Sequence, residues 1–316
     1  MANYLITGGC GFIGSHLAES ILGNGFNVRV LDNLSTGKRS NLPDGCELVV
    51  GDITDAAMVR SCMEGVDGCF HLAAIASVQE SIDNWASTHR TNLTGSINVF
   101  NASRERKTPV VYASSAAVYG DNADLPLKER SLVRPLTAYG ADKLGSEQHA
   151  RVASLVHGVP TTGLRFFNVY GPRQDPNSPY SGVISIFVDR ALNGEAIKIF
   201  GDGQQTRDFV YVADVVHFLR SAMISNSCNP SIYNVCTGSY ISVNQLAKMV
   251  GSIAGTHLPL LHEPSRRGDI RASIGDPSFS KSKLGLSSYY SLSAGLRLLI
   301  ESERNKQEPE LVMVSR

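Results

Sequence analysis

The sequence lacks the features that mark membrane or nucleic-acid-binding proteins. Its 29 Lys and Arg residues balance 29 Asp and Glu residues, so it offers no overall positive charge to nucleic acid or to an anionic membrane surface. No apolar run approaches the ~18–20 residues that cross a bilayer. The first strand is predicted to begin by Tyr4, which leaves no room for a signal peptide. We therefore expect a cytoplasmic protein without nucleic-acid or membrane partners.

Cysteine is also sparse. The six cysteines lie at scattered positions and lack the paired spacing of a metal site: 10, 46, 62, 69, 228 and 236. We predict reduced, mostly buried thiols and no metal site.

The chain does contain a glycine-rich turn between a predicted strand, Tyr4–Ile6, and a predicted helix. Gly8, Gly11 and Gly14 occupy this turn. Such a turn exposes backbone N–H groups at the positive end of a helix and lets a pyrophosphate approach closely. A second strand ends at Asp32, 18 residues after Gly14, where a dinucleotide-binding unit holds the adenosine ribose. An acid there repels a 2′-phosphate, so the pattern predicts NAD rather than NADP.

Strand and helix patterns alternate over the first ~175 residues. Strands are predicted at 3–6, 28–31, 47–50, 68–72, 110–113 and 161–166, and helices at 14–24, 54–63, 84–105 and 139–157. This alternation predicts an α/β fold, a Rossmann-type doubly wound parallel sheet with a smaller C-terminal substrate-binding lobe. We expect a cofactor domain over 1–171, a substrate lobe over 172–304, from which Ser231–Val235 returns to the main sheet, and a polar tail over 305–316.

Ligands of such a sheet gather beyond the carboxyl ends of its strands. Asp52, Leu72, Ala73 and Ala74, and the pair Ser114 and Ser115 are predicted to lie there. Tyr139 and Lys143 are four residues apart on a predicted helix and so share a face. Because a nearby positive charge favours a phenolate, we expect Lys143 to turn Tyr139 into a general base.

Taken together these motifs resemble the extended short-chain dehydrogenase/reductase superfamily. Within it, the sequence is most similar to nucleotide-sugar epimerases of the UDP-hexose 4-epimerase type. The resemblance covers residues 3 to about 300 and is carried by TGGCGFIG, DNLSTG, GDI, HLAA, YASSAAVYG, YGADK, RFFNVYGP and FGDGQQTRDFVYVAD.

The resemblance implies a role for each matching residue. It implies that Ser115, Tyr139 and Lys143 are catalytic. It implies that NAD is bound by the glycine turn, Tyr139 and Lys143, and by Phe12, Ile13, Asp32, Asn33, Asp52, Ile53, Leu72, Ala73, Ala74, Asn92, Ser114 and Phe167. It implies that the UDP-sugar is bound by Ser115, Asn168, Val183, Phe200, Arg207, Arg266, Asp269 and Ser273.

The implied reaction inverts C4 of a UDP-hexose through a transient 4-keto sugar, with tightly bound NAD. Ala116 and Ala117 stand where the family's 4,6-dehydratases need an acid pair, so dehydration is disfavoured. Ser273 stands where a tyrosine restricts the pocket to unsubstituted hexoses, so the small serine predicts that UDP-GlcNAc and UDP-GalNAc are accepted besides UDP-glucose and UDP-galactose.

Three alternatives stay open at this point. A UDP-glucuronate 4-epimerase or decarboxylase shares nearly every motif, and a reductase or synthase of keto sugars would use the same three catalytic residues. A non-catalytic NAD-binding regulator is disfavoured by the intact Tyr139 and Lys143. The resemblance also implies a homodimer formed through helices at about 90–105 and 140–157.

Overall fold

The computed structural model describes residues 1–178, 181–265 and 270–307. Its strands, in chain order, are β1 (Asn3–Thr7), β2 (Asn27–Asp32), β3 (Glu47–Val50), β4 (Gly68–His71), β5 (Val110–Ser115), β6 (Thr161–Phe166), β7 (Asn168–Tyr170), β8 (Ile197–Phe200), β9 (Thr206–Arg207), β10 (Phe209–Tyr211), β11 (Ser231–Val235), β12 (Ile241–Ser242), β13 (Leu260–Glu263) and β14 (Ala272–Ser273).

The α-helices alternate with these strands in the first half of the chain. They are α1 (Phe12–Leu22), α2 (Ala56–Met63), α3 (Val78–Asp83), α4 (Trp85–His89), α5 (Gly95–Ala102), α6 (Ala138–His157), α7 (Val183–Leu192), α8 (Val212–Ile224), α9 (Val243–Ala254), α10 (Ser278–Leu284) and α11 (Leu292–Gln307). None of the helices in these described ranges is long and apolar enough to cross a membrane.

Seven parallel strands form the central sheet, in the order β11-β6-β5-β4-β1-β2-β3. The predicted doubly wound α/β sheet is therefore confirmed. The strand predicted at Ser231–Val235 is its outer member, paired with β6, so a late segment of the chain completes the first-half sheet. The order reverses between β1 and β4, and ligands of open α/β sheets bind at such a switch point.

Apolar side chains pack on both faces of this sheet. On one face Leu17 and Ile21 of α1 meet Phe218 and Leu219 of α8. On the other, α2, α5 and α6 supply further buried side chains, Phe100 of α5 among them. A separate core lies among α7, α9, α11 and strands β8 and β10. The continuous apolar pattern of the sheet strands reflects this burial on both faces.

The structure differs from the sequence prediction around residues 78–105. A single helix was expected over 84–105, but α4, a π-helical turn at Arg90–Thr94 and α5, which ends at Ala102, occupy this stretch. The short helix α3 before them was not predicted. Helix α11 also reaches Gln307, so Asn305, where the polar tail was expected to begin, lies within a helix.

Candidate active site

The glycine turn joins β1 to α1 with a close backbone approach. Gly8 has φ +74°, and a Cβ there would lie 2.7 Å from the backbone nitrogen of Ala73. A Cβ on Gly14 would lie 2.2 Å from the carbonyl oxygen of Gly8, so only glycine fits either place. No side chain caps α1 at Gly11, and its first turn, which begins with Phe12 and Ile13, holds no acid. The first N–H groups of α1 are therefore left to bind an anion.

The carboxylate of Asp32 lies at the end of β2 and is nearly buried. Its two oxygens accept hydrogen bonds from the backbone N–H groups of Cys10, at 2.9 Å, and Leu34, at 2.8 Å. The carboxylate therefore fastens the glycine turn to the end of β2, in the position where a dinucleotide ribose would lie.

A second pair of polar side chains lies at the ends of β2 and β3. Asn33 donates from its side-chain amide to Asp52 at 2.9 Å. Burial raises the pKa of Asp52, but hydrogen bonds from Thr54 and Asn33 outweigh it and hold this pKa below its usual value. Ile53, which follows, is buried against α5. Asp52 is thus held as a carboxylate anion at the end of β3, hydrogen-bonded to the residue that follows Asp32.

Asn92 lies in the π-helical turn and is almost fully buried. Its side-chain amide accepts from the N–H of Ile75 at 2.8 Å and donates to the carbonyl of the same residue at 3.0 Å. These two hydrogen bonds hold the loop that carries Leu72, Ala73 and Ala74 past the end of β4. A π-helical turn often accompanies a functional site.

His71 was not predicted as part of the site. It ends β4, and its ring nitrogens lie 2.7 Å from the Thr7 hydroxyl and 2.9 Å from the Ser96 hydroxyl. Burial, together with the charge of Lys143, lowers its pKa to about 3, so the ring is neutral. The HLAA motif contains His71, but its hydrogen-bond partners, the Thr7 and Ser96 hydroxyls, become apparent only in the folded structure.

Tyr139 and Lys143 lie one turn apart on α6, which Thr137 caps by accepting from the N–H of Gly140 at 3.1 Å. The Nζ of Lys143 lies 5.8 Å from the centre of the Tyr139 ring and donates to the carbonyl of Ala113 at 2.9 Å. Ser115, the last residue of β5, hydrogen-bonds to the Tyr139 side chain. The structure thus brings together the three predicted catalytic residues.

The direction of the Tyr139 pKa shift differs from the expectation that the nearby lysine lowers this pKa. Burial raises the pKa of Tyr139, and the hydrogen bond with Ser115 only partly offsets this rise. Burial also lowers the pKa of Lys143 to about 8, opposed by the charge of Asp142. The Tyr139 pKa is therefore raised rather than lowered, because the desolvation of the phenol outweighs the hydrogen bond with Ser115.

Ser114, predicted to bind the cofactor, is buried and turned away from Ser115. Its hydroxyl donates to Glu147 at 2.6 Å, and Glu147 forms a buried ion pair with Arg165. Neither Glu147 nor Arg165 was predicted to belong to the site. Two signals were present in the sequence: Glu147 continues the four-residue spacing of Tyr139 and Lys143, and Arg165 interrupts an apolar strand.

Two of the predicted substrate residues lie on neighbouring strands of a small three-stranded sheet, β12-β9-β14. Arg207 of β9 is paired in register with Ser273 of β14, which is buried. Asp208 and Asp214, the two acidic residues that follow Arg207 in the sequence, are both buried, and their oxygens accept hydrogen bonds from residues of the 237–238 and 289–290 loops.

Other predicted substrate and cofactor residues lie on separate elements. Phe167 is buried between β6 and β7, Asn168 donates to the carbonyl of Asp208 at 3.0 Å, Val183 begins α7 and Phe200 ends β8. Arg266 and Asp269 lie outside the described residues.

The residues at the sheet edge fit a dinucleotide. The open N–H groups of α1, the glycines that leave no Cβ in the way and the carboxylate of Asp32 match its pyrophosphate and ribose. Within the described residues, no group of three or more potential ligands is placed to hold a metal ion.

Comparison with known proteins agrees with this geometry. Residues 4–236 match the NAD-dependent epimerase/dehydratase family. The putative UDP-glucose 4-epimerase of Methanocaldococcus jannaschii is 34% identical over 304 residues, covering 95% of this chain and 98% of the relative.

Two solved structures are also similar over nearly their full length. The UDP-glucose 4-epimerase of Thermotoga maritima, solved with UDP-glucose, superposes with a TM-score of 0.94 at 38% identity, covering 97% of this chain and 100% of that one. The UDP-N-acetylglucosamine 4-epimerase of Methanobrevibacter ruminantium, in complex with UDP-N-acetylmuramic acid, gives 0.91 at 32%, covering 96% and 99%. With its glycine turn, its Tyr139–Lys143 pair and this match, the chain belongs to the NAD-dependent epimerase/dehydratase family.

Proposed function

We propose that the protein is a UDP-hexose 4-epimerase that keeps NAD bound through its cycle. The observation that carries this proposal is the meeting of Ser115, Tyr139 and Lys143 at the carboxyl edge of the sheet, beside the glycine turn. We take these three residues as the proton-transfer group that works beside the bound dinucleotide. The relatives named as UDP-sugar 4-epimerases support the same choice.

In the proposed reaction NAD, when bound, would accept the hydride from the sugar C4 and would supply a positive charge that favours the phenolate. Tyr139 takes the proton of the C4 hydroxyl, and Ser115 hydrogen-bonds to the phenol and so keeps it aimed at the sugar oxygen. Lys143, held by the carbonyl of Ala113, stabilises the phenolate from the other side. In the reverse half-reaction the same hydride returns to C4 on the opposite face of the sugar, and Tyr139 returns the proton to the C4 oxygen.

The hexose must turn over between the two half-reactions while the diphosphate stays bound. We propose that Arg207 holds the diphosphate, because a guanidinium binds phosphate oxygens with fixed, bidentate geometry. Arg266 and Asp269 are proposed to bind the UDP group of the substrate together with Arg207. Ser273, next to Arg207 in the sheet register, is proposed to leave room for an N-acetyl group, so that UDP-GlcNAc and UDP-GalNAc are substrates too.

Dehydration is not part of the proposal. Ala116 and Ala117, which follow Ser115 in a short 3₁₀ turn, have no group that could transfer a proton to or from C5 and C6. Ala117 instead uses its backbone N–H to donate to the Ser115 hydroxyl at 3.1 Å.

The proposed partner is a second copy of this chain. Helix α6, one of the two helices expected at the interface, exposes Val152, Leu155 and Val156 to 48%, 56% and 69%. Light scattering should give twice the 34.0 kDa chain mass, and Val156→Glu should reduce it to one chain. Ile224→Glu, at an even more exposed apolar residue on α8, is the matched control and should stay dimeric; a monomeric wild type would refute the dimer.

The proposed activity is tested by a proton NMR time course of the purified protein with equal UDP-glucose and UDP-GlcNAc and without added NAD. Formation of both UDP-galactose and UDP-GalNAc is expected. Conversion of UDP-glucose alone would contradict the role proposed for Ser273 but would support the 4-epimerase activity. Conversion of neither, with UDP-glucuronate converted instead in a parallel sample, would favour the uronate epimerase or decarboxylase.

A further inference from the structure

Behind the catalytic residues lies a buried polar cluster formed by Glu147, Arg165, Ser114, Tyr119 and Asn234, called here the buried clamp. Arg165 donates from Nε and from its terminal nitrogen to the two Glu147 oxygens, at 2.8 and 2.7 Å. The Ser114 hydroxyl donates to Glu147 at 2.6 Å. The other guanidinium nitrogen donates to the Tyr119 hydroxyl at 2.8 Å, which in turn donates to Asn234 at 2.7 Å. Each of these five side chains is buried.

Residues of the buried clamp lie next to the catalytic residues on both α6 and β5. Glu147 lies one turn after Lys143 and two turns after Tyr139 on α6, so the three side chains share a face. Ser114 precedes Ser115 on β5, and Ser114 is paired with Arg165 across β5 and β6. The Glu147 carboxylate therefore ties the helix that carries the base to the strand that carries its hydrogen-bond partner.

Stability is a weak explanation for such a pair. Burying two charges is costly, and replacing a buried ion pair with apolar groups of similar size is often neutral or stabilising. A paired, planar contact between a guanidinium and a carboxylate does fix distance and angle. That property matters most where two elements must be held to a fraction of an ångström.

We propose that Glu147 and Arg165 are positioning residues that set the distance from Ser115 on β5 to Tyr139 and Lys143 on α6. The proposal rests on the proposed epimerase function for its kinetic effect, but its geometric effect exists in any reaction of this site. Without the clamp, α6 can shift against β5 and the hydrogen bond between Ser115 and Tyr139 loosens. A displacement of about 1 Å is enough to slow a reaction roughly 100-fold.

The test replaces the clamp with apolar groups in the NAD-bound protein. In the triple variant Ser114→Ala, Glu147→Leu, Arg165→Met, neither charge is left unpaired, and Tyr119 keeps its bond to Asn234. We expect bound NAD and the KM for UDP-glucose to stay as in the wild type, and kcat to fall roughly 30- to 100-fold. Glu147→Gln, which keeps an acceptor for Ser114, serves if the triple variant does not fold, and should show a smaller fall in kcat with the same KM.

A second readout does not need turnover. The absorbance of the phenolate at alkaline pH, taken as the difference from a matched Tyr139→Phe protein, gives the apparent pKa of Tyr139. Loosening Ser115 and Lys143 removes two groups that favour the phenolate, so this pKa should rise by about one unit in the triple variant. If wild-type protein epimerised nothing, the proposed function would fail while this titration still decided the role of the clamp.

The matched control is Asp214→Asn, a buried carboxylate that accepts from the N–H groups of Tyr289 and Tyr290, away from the catalytic group. It should lower stability without changing kcat or the Tyr139 titration. A triple variant with wild-type kcat and an unchanged Tyr139 titration would show that the clamp is structural only and would overturn the proposal. So would an Asp214→Asn variant with the same loss of kcat.

Discussion

Lys143 holds its ammonium 5.8 Å from the centre of the Tyr139 ring while donating to the carbonyl of Ala113 at 2.9 Å. The lysine is thus fixed to the strand that ends in Ser115, the hydrogen-bond partner of the tyrosine. Burial nonetheless raises the pKa of Tyr139. The protein supplies the geometry for proton transfer, and in the proposed reaction the positive cofactor ring supplies the remaining charge.

Replacing Tyr139 with Phe should remove the general base while leaving the fold. We expect kcat to fall by roughly 100- to 10,000-fold, because the ring still packs but the hydroxyl is gone. The bound NAD, released by denaturation and measured by absorbance, should remain near the wild-type amount. Retained turnover would show that another group moves the proton.

Ser273→Tyr should narrow the substrate range. A tyrosine at this buried position, beside Arg207, would fill space proposed for the N-acetyl group. We expect the ratio of UDP-GlcNAc to UDP-glucose turnover to fall at least about tenfold, since one badly fitting group is worth about 1–3 kcal/mol. Both substrates are assayed in one sample, so the ratio does not depend on the folded fraction. Ser282→Tyr, on the exposed side of α10, should leave the ratio unchanged, and an equal ratio in both variants would contradict the assignment.

Asp32→Ala should weaken NAD binding. The variant loses the proposed ribose contact and also the acceptor for the N–H groups of Cys10 and Leu34, each worth about 1–3 kcal/mol when left unpaired. We expect the NAD that survives gel filtration to fall at least about tenfold. Asp55→Ala is the control: it removes the cap of α2, which costs about 1 kcal/mol of stability, and should leave bound NAD unchanged.

The stability of the protein should fall on mild acidification because of His71. Its pKa is about 3 in the folded state and about 6.5 in an unfolded chain, so between these values the unfolded state binds the extra proton. The stabilisation is fully present above about pH 6.5 and is lost as the pH falls toward 3.

Urea unfolding of wild type and His71→Gln between pH 7 and 4 checks this directly. The variant should be less stable at pH 7, since His71 bridges Thr7 and Ser96. Its free energy of unfolding should then decline with pH less steeply, by up to about 1.4 kcal/mol per unit. His149→Gln, at an exposed residue of α6, should keep the wild-type slope. Parallel curves for wild type and His71→Gln would contradict this, because they would show that the folded state binds the His71 proton as readily as the unfolded chain.

Much of the fold could be predicted from local patterns. Short apolar runs that lead to Gly8, Asp32 or Ser115 predicted the parallel strands. The same residues predicted the edge where ligands bind, because a strand and the residue at its end are neighbours in the sequence. The pair Tyr139 and Lys143 was predictable for the same reason, since helical spacing alone brings them to one face.

The rest depends on contacts between residues distant in sequence. Asn92 was predicted to bind the cofactor, and its amide also holds Ile75, a contact that depends on the π-helical turn. Ser114 was predicted to bind the cofactor, whereas its hydroxyl donates to Glu147, 33 positions along the chain. No local pattern indicates that His71 will meet Ser96, or that Arg165 will meet Glu147, until the sheet order is known.

The central claim is that the hydrogen removed from C4 of the sugar returns to the same carbon without leaving the site. It is tested most directly with UDP-glucose carrying deuterium at C4, incubated with the purified protein in ordinary water. Mass spectrometry and proton NMR of the isolated UDP-galactose should find deuterium still at C4 in essentially every molecule. Product with solvent hydrogen at C4, or the absence of any 4-epimer from protein with bound NAD, would contradict the account.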